Sequence, residues 1–352
     1  MTSPRTPYLR VDVARLTANL ARVADRAASA GVALRPHAKT HKSSEVALLQ
    51  LEAGAVGLTV ATIGEAEVFV DGGCSDVFVA YPLWVDAAAG ARLRALAERA
   101  VVAIGVDSVA GAEQAAGMLA GTRVEVLVEV DSGQHRTGVP AGAAGTVALA
   151  AERAGLGVRG VFTFPGHSYA PDALTSSAVD ESAALAVAAA SIRAAGLDVR
   201  VLSGGSTPSL AASDLDVLTE LRPGVYAFGD AQQWELGAMS PADVALTCRA
   251  TVVSHAGGRL VLDAGSKALG ADRAPYSSGW GRLPAYDAAR VVLLSEHHAV
   301  VDLAGAELPL LGSVVDLVPN HVCAAVNLHG TLWAERDGAL VAWTVAARGR
   351  NS

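Results

Sequence analysis

The sequence predicts an α/β fold, a (β/α)8 TIM barrel with a second, mainly β C-terminal domain, and three observations predict it. Short runs rich in Val and Leu alternate with longer Ala-rich stretches whose apolar residues recur at helical spacing. About eight such pairs follow one another, which is what a closed barrel of parallel strands requires. Beyond Ala238 the helical period fades and strand-like runs take over.

The barrel strands are expected in VALRP (Val32 to Pro36), VGLTVA (Val56 to Ala61), DVFVAY (Asp76 to Tyr81), VVAIGV (Val101 to Val106), VEVLVEV (Val124 to Val130), VRGVFTF (Val158 to Phe164), VRVLSG (Val199 to Gly204) and VLTELRPG (Val217 to Gly224). Their continuous apolar character suits strands buried on both faces. Helices are expected over Ser43 to Ala53, Ile63 to Asp71, Asp86 to Ala100, Ala110 to Ala120, Ala143 to Ala154 and Val179 to Ala195. An open doubly wound sheet is the rival, but no GxGxxG follows the first strand to favour its dinucleotide-binding form. The barrel is assigned to residues 12–238 and the β domain to 239–352. In the latter, ALTCRATVVSHAGGRLVLDAGS reads as two strands around an Ala-Gly-Gly turn, and GALVAWTVAARG as a closing strand. An N-terminal strand over 7–11, around YLRVD, is expected to join this domain.

Of 352 residues 51% are hydrophobic and 18% charged, against about 25% charged in an average domain, so a large core is expected. The formal net charge of −8 comes with no basic patch beyond one short stretch, which argues against nucleic acid as a partner. Cys74, Cys248 and Cys323 are too few for a disulfide framework and point to a reducing compartment. With no signal-peptide core and no membrane-length apolar run, the expectation is a cytoplasmic protein without a membrane partner.

Barrel chemistry sits on the loops after the strands, and polar motifs fall there: KTHK, DSGQHRTG, PGHSY, SGGSTPS and RPGVY follow the first, fifth, sixth, seventh and eighth strands. Lys39 in KTHK is a candidate amine nucleophile, since a lysine at an apolar barrel mouth loses hydration and some of its basicity. Its plain alternative is a solvated residue opening a helix. Arg35, His37, His41 and Lys42 crowd around it, and like charges so close repel unless an anion is present. SGGSTPS (Ser203 to Ser209) brings glycines and hydroxyls to the position of the common barrel phosphate site. An ordinary turn capped by Ser206 or Thr207 is the alternative. A strand-end lysine with a phosphate cradle suggests pyridoxal 5'-phosphate, with Tyr169 or His167 facing its ring nitrogen and Arg136 near its phenolic oxygen. Arg136 can equally pair with Asp131 or Glu129. In PNHVCAAVNL, His321 and Cys323 project from one face if they lie on a strand and can share a metal, with thiolate and imidazole favouring Zn2+. A buried cysteine beside a hydrogen-bonded histidine is the alternative.

The stretches RPHAKTHKSSEVALLQLEAGAVGLTVATIGEAEV, VEVDSGQHRTGV, PGHSY, the Gly-Ser-Thr-Pro run, ELRPGVYAFGD, VLDAGSKAL and PNHVCAAVNL cover nearly the whole chain. Together they resemble the family of D-serine dehydratases and D-threonine aldolases, fold-type III pyridoxal-phosphate enzymes whose barrel is similar to the N-terminal domain of alanine racemase. The resemblance implies that Lys39 is the Schiff-base lysine and that Arg136, His167, Tyr169 and Tyr226 belong with the cofactor. It further implies that Gly204, Gly205, Ser206 and Thr207 hold the phosphate and that His321 and Cys323 are the metal pair. A D-3-hydroxyamino acid substrate and a homodimer are implied in turn. Cys323 leans towards zinc D-serine dehydratases rather than D-threonine aldolases, which pair the histidine with aspartate and manganese (Mn2+). Phe164, where relatives often carry histidine, and Ala299, where glycine is common, depart from the pattern. A non-catalytic pyridoxal-phosphate-binding protein and a metal hydrolase using His37, His41 and His167 are the rival classes.

Overall fold

The computed structural model describes residues 4–352, and the chain folds as two compact units. One unit, residues 22–39, 47–224 and 350–352, contains the barrel. After β1 (Tyr8–Asp12) and α1 (Val13–Ser29), its strands run β2 (Ala33–Leu34), β3 (Leu58–Val60), β4 (Asp76–Pro82), β5 (Val101–Val106), β6 (Glu125–Glu129), β7 (Gly157–Phe162), β8 (Val201–Gly204) and β9 (Glu220–Leu221). All pair in parallel in the order β2-β9-β8-β7-β6-β5-β4-β3. A parallel bridge from His37 to Thr59 joins the two ends of that order and closes the ring. The eight-stranded parallel sheet is the one expected, although β2 and β9 are only two residues long.

The helices between strands are α2 (Ser44–Glu52), α3 (Ile63–Asp71), α4 (Ala87–Ala97), α5 (Val109–Leu119), α6 (Ala144–Arg153) and α7 (Leu174–Ala194). Thr62, Asp86 and Ser108 cap α3, α4 and α5 by accepting a backbone N–H, the usual role of such residues at that position. No helix separates β8 from β9; a single 3-10 turn, Leu210–Ala212, does so, in a stretch, GSTPSLAASD, whose Gly, Pro, Ser and Asp residues favour turns. Phe78, Ala103, Leu127 and Phe162, from the neighbouring strands β4, β5, β6 and β7, form one buried apolar cluster, with the two phenylalanine rings edge to face at 5.0 Å.

The crowded basic stretch has a different explanation from a bound anion alone. Arg35 is 4% exposed and its guanidinium meets Glu220 at 2.7 Å and Asp76 at 2.9 Å. The neutralising charges are therefore carboxylates of the barrel itself. Burial disfavours the Arg35 cation, but these two carboxylates outweigh it and hold its pKa above the ordinary arginine value. Removing one partner of such a pair strands a buried charge and costs about 3–5 kcal/mol. Arg35→Ala is accordingly expected to lower the denaturation midpoint sharply, and a variant unfolding at the wild-type denaturant concentration would contradict the assignment.

The other unit, residues 1–21, 40–46 and 225–349, includes α8 (Ala231–Glu235) and is otherwise mainly strands: β10 (Leu246–Ser254), β11 (Leu260–Leu262), β12 (Gly281–Arg282), β13 (Arg290–Leu294), β14 (Ala299–Asp302), β15 (Val314–Pro319), β16 (Thr331–Arg336) and β17 (Ala339–Thr344). Two short helices interrupt them, α9 (Ser266–Leu269) and α10 (Val322–Leu328). β1 lies inside this sheet, antiparallel to β10 and parallel to β16. β10 and β11 form the antiparallel pair around Ala256–Gly258, where Gly257 and Gly258 take left-handed φ values of 65° and 71° that the turn requires. Among the described residues no helix is long and apolar enough to cross a membrane.

Candidate active site

In the barrel unit, Lys39, Arg136 and Tyr169 gather around one aromatic ring. Lys39 ends the loop after β2, and its Nζ stands 5.7 Å from the Phe164 centroid. Arg136, in the loop after β6, places its Cζ 5.5 Å from the same centroid, and the Tyr169 ring lies at 6.4 Å. Cations over a ring face are attracted by its quadrupole, so Phe164 organises the two charges without offering either a proton acceptor. Asp131, the candidate partner for Arg136, is occupied instead by His135, at 2.6 Å from the imidazole Nδ1. Buried Glu129 lies close enough to Arg136 to feel its charge.

The chain has three lysines, Lys39, Lys42 and Lys267. Lys42 donates to Asn327 at 2.8 Å and Lys267 pairs with Glu296 at 2.8 Å. Both belong to the strand unit, and Lys39 is the one lysine of the barrel unit.

The stretch after β8 is a cradle of small residues. A Cβ built on Gly204 would lie 2.4 Å from Glu181 Oε1, and one on Gly205, whose φ is +90°, 2.9 Å from Leu221. Only glycine fits both positions. Ser206 lies in a buried row of hydroxyls, 2.8 Å from Ser168 and 2.8 Å from Ser209, and it also accepts the Ser209 N–H at 3.3 Å. Ser206 therefore does cap the turn, and Thr207 beside it is 5% exposed. The Gly205 N–H does not point outward, as a cradle built from several amides would have it; it donates to Glu181 at 2.6 Å.

His167 packs over Gly133, where an added Cβ would meet its ring at 3.1 Å. Its Nε2 faces Asp180 at 3.2 Å, and its buried Nδ1 finds no partner among the described residues. An orphaned buried nitrogen, a glycine cradle and a strand-end lysine suit an aldehyde cofactor with an anionic tail.

In the strand unit, His321 and Cys323 are adjacent but not on a strand. β15 ends at Pro319, His321 is the N-cap of α10 and Cys323 lies in its first turn. The two side chains nevertheless hydrogen-bond, because the cap residue and the first turn fold close to one another. His321 Nδ1 meets Asp272 at 2.6 Å; a carboxylate behind a ligating histidine fixes its ring and raises its basicity. Burial opposes the imidazolium, yet Cys323, Asp230 and Asp272 overcome it and raise His321 to about 10. Cys323 is partly exposed, and its Sγ donates to Thr40 at 3.4 Å. Among the described residues no third His, Cys, Asp or Glu completes a ligand set. Tyr226 is 3% exposed in the 3-10 turn Val225–Ala227 of this unit.

Three acidic residues of these sites carried no sequence signal. Asp272 lies in an irregular loop, Asp230 is a helix cap that accepts the N–H groups of Gln233 and Val322, and Glu181 sits in the Ala-rich α7. Burial pushes Asp230 up to about 6, against the nearby His321 charge and those amides.

Comparison with known proteins agrees with this geometry. The family model "Alanine racemase, N-terminal domain" matches residues 11–232, and a serine dehydratase domain model matches 245–334. The chain is 38% identical to D-threo-3-hydroxyaspartate dehydratase of Delftia sp. (strain HT23), over 96% of each chain. It is 36% identical to D-threonine aldolase of Arthrobacter sp., over 98% of this chain and 93% of that one. A solved structure of a D-threo-3-hydroxyaspartate dehydratase, a cysteine-to-alanine variant in the metal-free form, superposes with a TM-score of 0.89 at 34% identity, over 97% of each chain. A lysine-bearing barrel with its glycine cradle, followed by a strand domain of the dehydratase type, places this chain in the D-serine dehydratase and D-threonine aldolase family of fold-type III, pyridoxal-phosphate-dependent lyases.

Proposed function

We propose that the chain is a metal-assisted dehydratase of D-3-hydroxyamino acids, releasing a 2-oxo acid and ammonia. The observation that carries this reading is the grouping of Lys39, Arg136 and Tyr169 around Phe164, in one barrel with the Gly204–Thr207 cradle. Pyridoxal phosphate held there supplies an electron sink for charge developing at the substrate's α-carbon. Lys39 would hold the cofactor through Nζ and, once displaced by the substrate amine, take the α-proton at the same atom. Arg136 and Tyr169 would orient the ring, with His167 beside them and Tyr226 assigned by family resemblance. Ser206 and Thr207 would hold the phosphate with the two glycines giving it room.

His321 and Cys323 would hold a divalent ion, whose Lewis acidity assists departure of a substrate hydroxyl. Imidazole with thiolate favours Zn2+, with Mn2+ the alternative. Asp272 would keep the His321 ring in the ligating orientation. Asp272→Ala is expected to weaken metal binding about 10- to 100-fold. Competition against a metal-buffering chelator measures this, and unchanged affinity would remove Asp272 from the role.

The dehydratase side is supported by Cys323 in the donor pair. A panel of D- and L-3-hydroxyamino acids, with and without chelator, tests the reading. It expects a 2-oxo acid and ammonia from D-isomers only, suppressed by chelation. Glycine plus an aldehyde would shift the assignment to the aldolase reaction, and turnover of L-isomers would contradict it.

A further inference from the structure

Glu181 is fully buried on α7 directly behind the glycine cradle. Its Oε1 accepts the Gly205 N–H at 2.6 Å and would touch any side chain at Gly204, while its buried Oε2 finds no partner among the described residues. The Glu181 carboxyl therefore fixes the backbone of the cradle from the protein side. We propose that Glu181 is a positioning residue of the phosphate loop and that the loop takes up a phosphate with Glu181 in its neutral form; this rests on reading Gly204–Thr207 as the phosphate cradle. A carboxylate directly behind a phosphate dianion would repel it across a dry interior, whereas a neutral carboxyl still accepts the amide.

The surroundings support that protonation state. Burial pushes Glu181 up to about 7, opposed by the Gly205 N–H and the Arg222 guanidinium. Arg222 donates from Nε to Ser203 at 2.7 Å, and its one charge is shared among Glu220, Glu181 and Glu129. From the turn at 166–168, His167 faces α7 but is paired with Asp180. On β7 and just before β8, Arg159 and Arg200 sit at the opposite ends of the strands and pair with Glu125. Among the described residues no second cation therefore compensates an ionised Glu181.

The test compares pyridoxal phosphate with pyridoxal, binding each to cofactor-stripped full-length protein between pH 6 and pH 8.5. The ratio of the two dissociation constants isolates the phosphate's contribution from attachment to lysine. In wild type this advantage is expected to fall about tenfold more steeply with pH than in Glu181→Gln, which stays neutral throughout; sites coupled at this strength typically change each other's affinity about 5- to 150-fold. The same fall in both proteins overturns the role of Glu181. No advantage of pyridoxal phosphate over pyridoxal at any pH overturns the phosphate cradle itself. If Glu181→Gln does not fold, carboxyl 13C shifts of glutamate-labelled wild type replace it. One buried carboxyl is then expected to titrate near neutral pH and to move higher on cofactor loading, and an unmoved midpoint overturns the proposal.

Discussion

Lys39→Ala is expected to lower turnover by roughly 10³-fold or more, since one amine both holds the cofactor and moves the α-proton. The same variant should lose the absorbance of the lysine-attached cofactor while keeping its fold. Replacement by alanine leaves Phe164 and Arg136 in contact, and the glycine cradle does not involve Lys39. Cofactor then binds only as a free aldehyde, through its phosphate. Near-normal activity in Lys39→Ala would require another nucleophile, and Lys42 and Lys267 both lie in the strand unit.

The second large effect concerns the metal pair. Cys323→Ala and His321→Ala should each remove half of the protein's donor set, because no third His, Cys, Asp or Glu among the described residues stands ready to replace them. Metal content after dialysis is expected to drop to near zero and turnover by roughly 10²-fold or more, consistent with several kcal/mol of Lewis-acid assistance. Cofactor attachment should persist, since Lys39 and the cradle are in the barrel unit and the pair is in the strand unit. Retention of stoichiometric metal in both variants would show that the ion, if bound, is held elsewhere.

The barrel was legible because its strands announce themselves locally. VVAIGV and IGEAEVFVD become β5 and α3 without adjustment, each bounded by residues that punctuate the chain, such as the Thr62 cap. α1, 17 residues long, was not anticipated although Val13, Leu16, Leu20, Val23 and Ala27 recur at helical spacing and are buried; the signal was present in the sequence directly after β1. Strands β12 to β16 and helices α8 to α10 were not anticipated; the pairing of these strands is decided by distant partners, as with β12 against β15 and β16 against β1.

Candidate residues could be named wherever one motif suggests its own chemistry, as KTHK, SGGSTPS and HVC do. It was not legible where function depends on pairing across the chain. Arg35 is neutralised by Glu220, 185 residues away, so the basic stretch could not be interpreted from its own composition. Spacing of two residues in HVC fitted a strand as well as the helix start that actually brings the side chains together. The hydrogen bonds of Asp272 to His321 and of Glu181 to Gly205 are likewise recorded by no local pattern.

The central claim is a covalent link between Lys39 and pyridoxal phosphate. Borohydride reduction of the purified protein, followed by digestion and mass spectrometry, tests it directly, and three lysines make the outcome unambiguous. The account predicts a reduced pyridoxyl group on the peptide containing Lys39 alone. The group on Lys42 or Lys267, or on no lysine of a cofactor-saturated protein, would contradict it.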